Sequence, residues 1–219
     1  MDDRQLLMSV EMLSGLTDSE LDELQALTGD IQLRRNEVLF SEHDEADCLF
    51  VVRDGRLAIV RDSFDGRESV LALLTAGDLV GEMPLFDGAP RSAKVKALEP
   101  TSLVKVPYEP LRRMYTARPE LLWGAVSLLA SRLRTMDDAL ADTMFLDVAG
   151  RTAKKLLEMA GDEDEFQLPV TQEELAQMVG ASRERVNKAL SSFNRLGWLE
   201  QRERTYLITN RDALTQRSL

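Results

Sequence analysis

Between Pro119 and about Leu146 the chain has no proline and a single glycine, Gly124. Over this stretch Leu122, Val126, Leu129, Leu133, Met136, Leu140 and Thr143 recur at alternating steps of four and three. That alternation is apolar at every place but the last, and it describes the narrow seam of a helix that pairs with another helix. Arg132, Arg134, Asp137, Asp138 and Asp142 stand off the seam. A helix packed only on its own domain's core, the plainer alternative, would show a wider apolar face. The spacing predicts a dimerisation helix over 119–146, a domain over 1–118 before it and a second over 147–219 after it.

Cysteine and histidine usage narrows the chemistry. Cys48 stands alone, which excludes an internal disulfide and any cluster held by several thiolates, and His43 is the only histidine. His43 reads as a loop residue without a special role and Cys48 as a small core residue; no metal site is expected. The first eleven residues place acids on both sides of a short apolar run, unlike a signal peptide, and no apolar run approaches membrane-spanning length. A cytoplasmic protein without a membrane partner is expected. The net charge of −11 looks hostile to nucleic acid, but residues 149–219 hold 11 basic and 11 acidic side chains. The whole excess of acid therefore lies in the first 148 residues, and the last third is free to carry a local basic face.

Within 1–118, Thr17 with Glu20 forms a capping box for a short helix bearing Leu21, Leu24 and Leu27. Short apolar runs follow (Val38–Phe40, Leu49–Val52, Leu57–Val60, Val70–Leu74, Leu103–Val106), separated by Asp54-Gly55, Asp65-Gly66 and Gly77-Asp78. Asp-Gly between apolar runs is a hairpin signal, and many short strands imply a small antiparallel barrel or roll. Its candidate lining is Val80–Ala93. Gly81 and Gly88 let the backbone turn tightly, Arg91 offers a planar fork for an anionic phosphate, and Ser92 adds a hydroxyl. Glu82 can accept from a sugar hydroxyl or pair with an arginine of the long helix. A surface loop with an incidental Arg–Glu pair is the alternative.

In the last third, Asp147–Arg151 breaks the long helix and forms a hinge. Arg151–Ala160 reads as a helix offering Leu156, Leu157 and Met159 to a core, and Gly161–Glu165 as an exposed acidic loop too loose for a calcium site. Thr171 with Glu174 is a second capping box, for a helix with Leu175, Ala176 and Val179 on its apolar side. Gly180-Ala181-Ser182 then turns the chain, and Ser182 caps a second helix with Val186, Ala189 and Leu190 facing in. Two capped helices across a glycine turn form a helix-turn-helix. The second exposes Arg183, Glu184, Asn187 and Lys188, of which arginine is the usual reader of guanine and glutamate accepts from the cytosine amino group. Arg185 and Thr171 are placed for phosphates, and Trp198–Ile208 reads as a β-hairpin wing. A charged, solvent-facing helix pair is the alternative.

Gly81-Glu82 with Pro90-Arg91-Ser92-Ala93, then Phe145-Leu-Asp-Val148, then Thr171-Gln-Glu-Glu-Leu-Ala and Gly-Ala-Ser-Arg-Glu-Arg-Val-Asn-Lys188, resemble the cyclic-AMP receptor protein (CRP/FNR) family across nearly the whole chain. The resemblance implies that Arg91 and Ser92 hold a cyclic phosphate, Gly81 and Glu82 the ribose, and that Arg132 braces Glu82. It places Met136 and Asp137 where cyclic-AMP-responsive members carry two hydroxyl or amide residues that meet adenine. Met136 can neither donate nor accept there, and Asp137 can only accept. Cyclic AMP, another cyclic nucleotide or no effector all stay open. The resemblance further implies a palindromic TGTGA-like operator, with Arg183 and Lys188 on guanines and Glu184 on the paired cytosine, and with double-stranded DNA, a second copy of the chain and RNA polymerase as partners.

The expected architecture is α+β: an N-terminal cyclic-nucleotide-binding β-roll, a long dimerisation helix and a C-terminal winged helix-turn-helix. The expected function is a homodimeric transcription regulator, not an enzyme. One rival is a constitutive regulator with a vestigial pocket. The other is a barrel enzyme with an accessory helical domain, which one histidine, one cysteine and no nucleophile–base pairing leave poorly equipped.

Overall fold

The structure is a computed structural model that describes residues 2–62, 68–202 and 205–219. The main boundary between its two compact units falls inside the long helix, between Arg134 and Thr135.

The first unit begins with α1 (Asp3–Ser9), capped by the Asp2 carboxylate, and a 3-10 turn over Glu11–Leu13. The Thr17–Glu20 capping box closes in both directions on α2 (Asp18–Ala26). Leu21 and Leu24 are buried, but Leu27, expected on the same face, is the C-cap and half exposed, because the helix ends beneath it. The roll then follows: β1 (Gly29–Leu33), β2 (Val38–Phe40), β3 (Cys48–Asp54), β4 (Leu57–Asp62), β5 (Glu68–Leu74), β6 (Leu79–Val80), α3 (Met83–Asp87), β7 (Lys94–Ala97) and β8 (Thr101–Pro107). Helix α4 (Tyr108–Ala117), a 3-10 turn over Pro119–Leu121 and the long helix α5 (Leu122–Phe145) complete the elements up to the boundary helix.

The strands form two four-stranded sheets, in the orders β1-β8-β3-β6 and β2-β7-β4-β5. The Asp54-Gly55 turn is therefore not the hairpin its sequence suggests, since β3 and β4 lie in different sheets. Gly55 (φ 87°) is required for another reason: a side chain there would run into the Pro100 carbonyl and Thr101. Gly77 (φ 94°) likewise turns the chain from β5 in one sheet to β6 in the other. The turn at Asp65-Gly66 lies outside the described residues.

Alternation along β3 explains why its whole apolar run is buried. Leu49 and Val51 face the helical layer with Leu7, Leu13, Leu111 and Leu121, while Cys48, Phe50 and Val52 face the roll interior with Leu57, Val95 and Leu103. Helix α5 joins that first layer through Ala125 and Leu128, so it is in part a core helix as well as the bearer of an apolar seam. The seam itself is open: Val126, Leu133, Met136 and Leu140 are each at least half exposed.

In the second unit, α6 (Val148–Ala160) starts at Asp147, whose carboxylate accepts from Gly150 N at 2.8 Å. The helix break is thus narrower than the expected Asp147–Arg151, only Leu146 and Asp147 separating α5 from α6. Leu156 is buried, with Leu157 and Met159 partly so. The acidic stretch is exposed through Asp164 and fastened by Arg211, which donates to Asp164 and to the Gly161 and Glu163 carbonyls. Glu165, expected in that loop, instead opens a strand, β9 (Glu165–Gln167). Then come α7 (Gln172–Val179), α8 (Arg183–Arg195), β10 (Leu199–Arg202), β11 (Thr205–Ile208) and α9 (Arg211–Arg217). β10 and β11 pair antiparallel as the expected wing, and β9 adds a third strand on β11. Among the described residues no helix is long and apolar enough to cross a membrane.

Two consequences can be measured. A Cβ on Gly124 would meet the Glu11 carbonyl at 2.6 Å and Met12 Cα at 3.0 Å, both backbone atoms that cannot swing aside. Gly124→Ala should therefore destabilise the fold by about 1–3 kcal/mol in urea denaturation, although alanine is the better helix former. The Gly150 amide, then Arg217, hold the Asp147 carboxyl below its usual pKa of 3.8. Its contribution is thus present above the unfolded pKa and lost as pH falls through the folded one. Asp147→Ala should cost about 1 kcal/mol at neutral pH, and the difference from wild type should shrink on acidification toward about pH 3.

Candidate functional sites: an anion pocket and a nucleic-acid interface

The pocket of the first unit forms where β6 runs into α3 and the chain returns through Arg91. Phe40, Ile59, Val80, Gly81, Glu82, Met83, Pro84, Arg91, Ser92, Ala93, Val95 and Arg132 line it, around roughly 350 Å³ of space that is partly open to solvent. Two charged side chains sit at its buried end, with Glu82 only 1% exposed and Arg91 only 4%.

Arg91 has no carboxylate in an ion pair among the described residues. Nη1 donates to the Gly81 carbonyl (2.9 Å) and to the Tyr108 hydroxyl (3.1 Å), and Nη2 donates to the Cys48 carbonyl (2.8 Å). The guanidinium lies 4.2 Å over the Phe40 ring, which itself stacks on Phe50. Its Nε–H has no acceptor. A buried cation without an anion is costly, and three neutral acceptors plus an aromatic face offset only part of the cost.

Several local devices hold that side chain in place. The 41–44 turn clasps its backbone, Arg91 N donating to Asp44 O and His43 N to Arg91 O, each at 2.9 Å. The His43 side chain is exposed, as expected of a loop, but its left-handed backbone (φ 72°) serves the pocket. Gly81 has a left-handed backbone (φ 84°) that other residues rarely adopt, and a Cβ there would push Arg91 Nη1 aside. Cys48 is buried in the core, and desolvation pushes its thiol up to about 11.

Glu82 stands at the N-terminus of α3, a short helix within the stretch that the sequence marks only as pocket lining. Arg132 of α5 reaches it with an ion pair through Nη1 and donates to the Leu79 carbonyl through Nη2. That pairing uses one carboxylate oxygen, and the other, Oε2, is buried without a partner. Ser92 is exposed, its hydroxyl 3.6 Å from Met83 Sδ. Met136 and Asp137 are exposed on α5 and do not line this pocket. Phe40 and Tyr108, which the sequence does not single out, complete the arginine's surroundings.

In the second unit the Thr171–Glu174 capping box is present in both directions, Gly180 turns through φ 68°, and Ser182 caps α8 by accepting from Arg185 N. Val186, Ala189, Leu190 and Phe193 are buried, which turns Arg183, Glu184, Arg185 and Lys188 outward. Asn187, expected to be exposed, is only partly so, and its Oδ1 is enclosed without a partner. Thr171 is half-buried, its hydroxyl used by the cap.

Ion pairing sorts the charges of this unit. Lys154, Lys155, Arg202, Arg211 and Arg217 each pair with a carboxylate, and Arg151 donates to the Leu146 and Val179 carbonyls. Among the described residues from Ala149 onward, the cations without such partners are Arg183, Arg185, Lys188 and Arg195, and all four are on α8. Arg195 carries no signal in the sequence, because its freedom shows only once the other pairs are known. Residues 149–219, neutral in sum, thereby present one helix bearing unneutralised positive charge, the electrostatic footprint of a nucleic-acid reader.

Residues 30–118 match the family model of the cyclic nucleotide-binding domain, and residues 150–217 that of the Crp-like helix-turn-helix domain. Over 221 residues, 98% of this chain and 99% of the other, the sequence is 34% identical to the CRP-like cAMP-activated global transcriptional regulator of Mycobacterium tuberculosis. It is also 34% identical over 154 residues, 67% of this chain and 74% of the other, to the cAMP-activated global transcriptional regulator CRP of Pasteurella multocida. FixK2 from Bradyrhizobium japonicum has the same fold, with a TM-score of 0.79 at 22% identity over 88% of this chain and 98% of that one. The c-di-GMP responsive global regulator CLP of Xanthomonas campestris matches with a TM-score of 0.76 at 25% identity, over 88% and 99%. With both domains matched in order and a relative aligned almost end to end, the chain belongs to the CRP/FNR family of transcription regulators and is not an enzyme.

Proposed function

We propose that the protein is a homodimeric regulator whose affinity for a palindromic operator is set by a cyclic nucleotide, cyclic AMP before others. The observation that carries this reading is a pair of buried, unsatisfied atoms on two side chains of one pocket, the donor Arg91 Nε and the acceptor Glu82 Oε2. A ligand that completes both carries an anion and a hydroxyl close together, and a sugar phosphate has that chemistry. In this reading Arg91 and Ser92 hold the phosphate, Gly81 and Glu82 the ribose, and Arg132 keeps Glu82 aimed. Two relatives are named for activation by cAMP, which favours that nucleotide.

The exposed seam of α5 supports pairing with a second copy of the chain through 119–146, since apolar stripes of this length are seldom left to water. Met136 and Asp137 would face the base, where Asp137 accepts from an amino group. On α8, Arg183 and Lys188 read guanines, Glu184 reads the paired cytosine, and Asn187 reaches a base edge. Thr171, Ser182 and Arg185 meet phosphates. Effector binding shifts the population of dimers toward the arrangement that spaces two recognition helices one DNA turn apart. RNA polymerase is the partner at promoters, in the cytoplasm. The second reading, an effector-independent regulator, is favoured by one observation: a thioether at Met136 offers the base no hydrogen bond.

Mobility shift with a TGTGA-N6-TCACA duplex at one fixed salt separates the two. Cyclic AMP should tighten binding by about 5- to 150-fold, the usual range of allosteric coupling, and Arg91→Ala should abolish that gain while leaving the basal affinity intact. Equal, tight binding in both lanes would overturn gating by cyclic AMP and leave two readings, an effector-independent regulator or one that answers to a different effector. Arg183→Ala should cost about 1–3 kcal/mol and relax selection at a single G·C pair, measured by competition with substituted duplexes.

A further inference from the structure

We propose that Tyr108 is a positioning residue of the effector pocket: its hydroxyl clamps the Nη1 end of Arg91 so that the Nε side of the guanidinium is left to receive an anion. The proposal rests on the reading of Arg91 as the phosphate-holding group and names what presents it.

Tyr108 is the first residue of α4 and is 2% exposed, so it is seated from behind the pocket and lies outside the pocket lining. Its backbone N–H donates to the Asp47 carbonyl at 2.8 Å, next to Cys48, whose own carbonyl takes Arg91 Nη2. The hydroxyl makes two bonds at once, accepting from Arg91 Nη1 at 3.1 Å and donating to the Gly81 carbonyl. Because that carbonyl also accepts from Nη1, the three groups close a small ring of hydrogen bonds. Burial pushes the phenol up to about 12, so it remains a donor at any working pH.

With both Nη1 contacts and the Cys48 carbonyl engaged, the guanidinium cannot rotate, and only Nε–H is left without an acceptor. A flexible arginine would lose this orientation and would have to recover it on binding, which weakens affinity. The Tyr108 ring also carries Arg112, 5.8 Å away, so a variant that keeps the ring isolates the hydroxyl.

Tyr108→Phe is therefore the test, with two readouts. In ligand-free protein, the Arg91 Nε–H resonance, assigned by its loss in Arg91→Ala, should exchange with water about tenfold faster than in wild type, the scale of one lost hydrogen bond. Unchanged exchange would overturn the clamp. In calorimetric titrations, Tyr108→Phe should weaken cyclic AMP or cyclic GMP by about tenfold, and in an Arg91→Ala background it should have no further effect. Wild-type affinity in Tyr108→Phe, with affinity lost in Arg91→Ala, would refute the role of Tyr108 and leave the pocket reading standing. Failure of the wild type to bind either nucleotide would overturn the pocket reading and the ligand half of this proposal together, while the exchange rate still judges the clamp. A merely structural role would lower the thermal midpoint without singling out Nε–H.

Discussion

A guanidinium buried without a carboxylate is the constraint on which the first unit depends. The cheap way to bury Arg91 would be an acidic neighbour, and Glu82 is in the same pocket, but Glu82 is turned to Arg132 instead. Arg91 is left with carbonyls, a phenol and the faces of aromatic rings. Each of these stabilises a cation without neutralising it, so the positive charge remains available to an incoming anion. The same logic explains Gly81, where any side chain would displace the guanidinium, and the 41–44 turn, which fixes the backbone that carries it. An apolar ligand filling this space would leave Arg91 and Glu82 as they are. An anionic sugar, as proposed, would complete both, which is a physical basis for selectivity.

Legibility in the sequence follows the range of the interaction. Capping boxes need only four consecutive residues, and those at Thr17 and Thr171, with the cap at Ser182, are where the spacing put them. The helix-turn-helix is legible for the same reason, as a local pattern whose inward positions, Val186, Ala189 and Leu190, follow from helical period. Sheet membership is not local. Asp54-Gly55 has the composition of a hairpin turn, yet Gly55 is demanded by Pro100 and Thr101, about 45 residues away. The run Cys48–Val52 hides its own alternation because both faces are covered, one by the roll and one by helices. The pocket was half legible on these grounds: Arg91, Ser92 and Gly81-Glu82 lie in one stretch, whereas Phe40 and Tyr108 come from strands and helices far along the chain.

Net charge misleads for a related reason. The acid that gives the chain −11 lies outside residues 149–219, and within them Lys154, Lys155, Arg202, Arg211 and Arg217 are consumed by carboxylates while Arg151 is spent on carbonyls. What reaches solvent as uncompensated charge is a subset selected by folding, and it is gathered on α8. A protein can thus be acidic overall, neutral across its last third and positive along one helix face. Such an arrangement limits non-specific attraction to phosphate, which scales with the number of free cations, and leaves a larger share of affinity to base contacts.

Helix α5 combines two stripes that a sequence pattern cannot separate. Leu121, Ala125, Leu128 and Arg132 follow a 4-3-4 spacing, and the first three pack against the first unit's core while Arg132 enters the pocket. Leu122, Val126, Leu129 and Leu133 follow the same spacing one residue later, about 100° around the helix, and are exposed. The inner stripe is apolar over Leu121, Ala125 and Leu128 and the outer one over all four places, so periodicity alone says that a seam exists but not which one the chain itself fills. Their phase difference is what lets one helix grip its own domain and still offer an unfilled seam. Gly124 lies beside both and brings the helix against Glu11 and Met12. Because Arg132 belongs to the inner stripe, any change at Glu82 is felt one residue away from the outer one, through a rigid element rather than a loop.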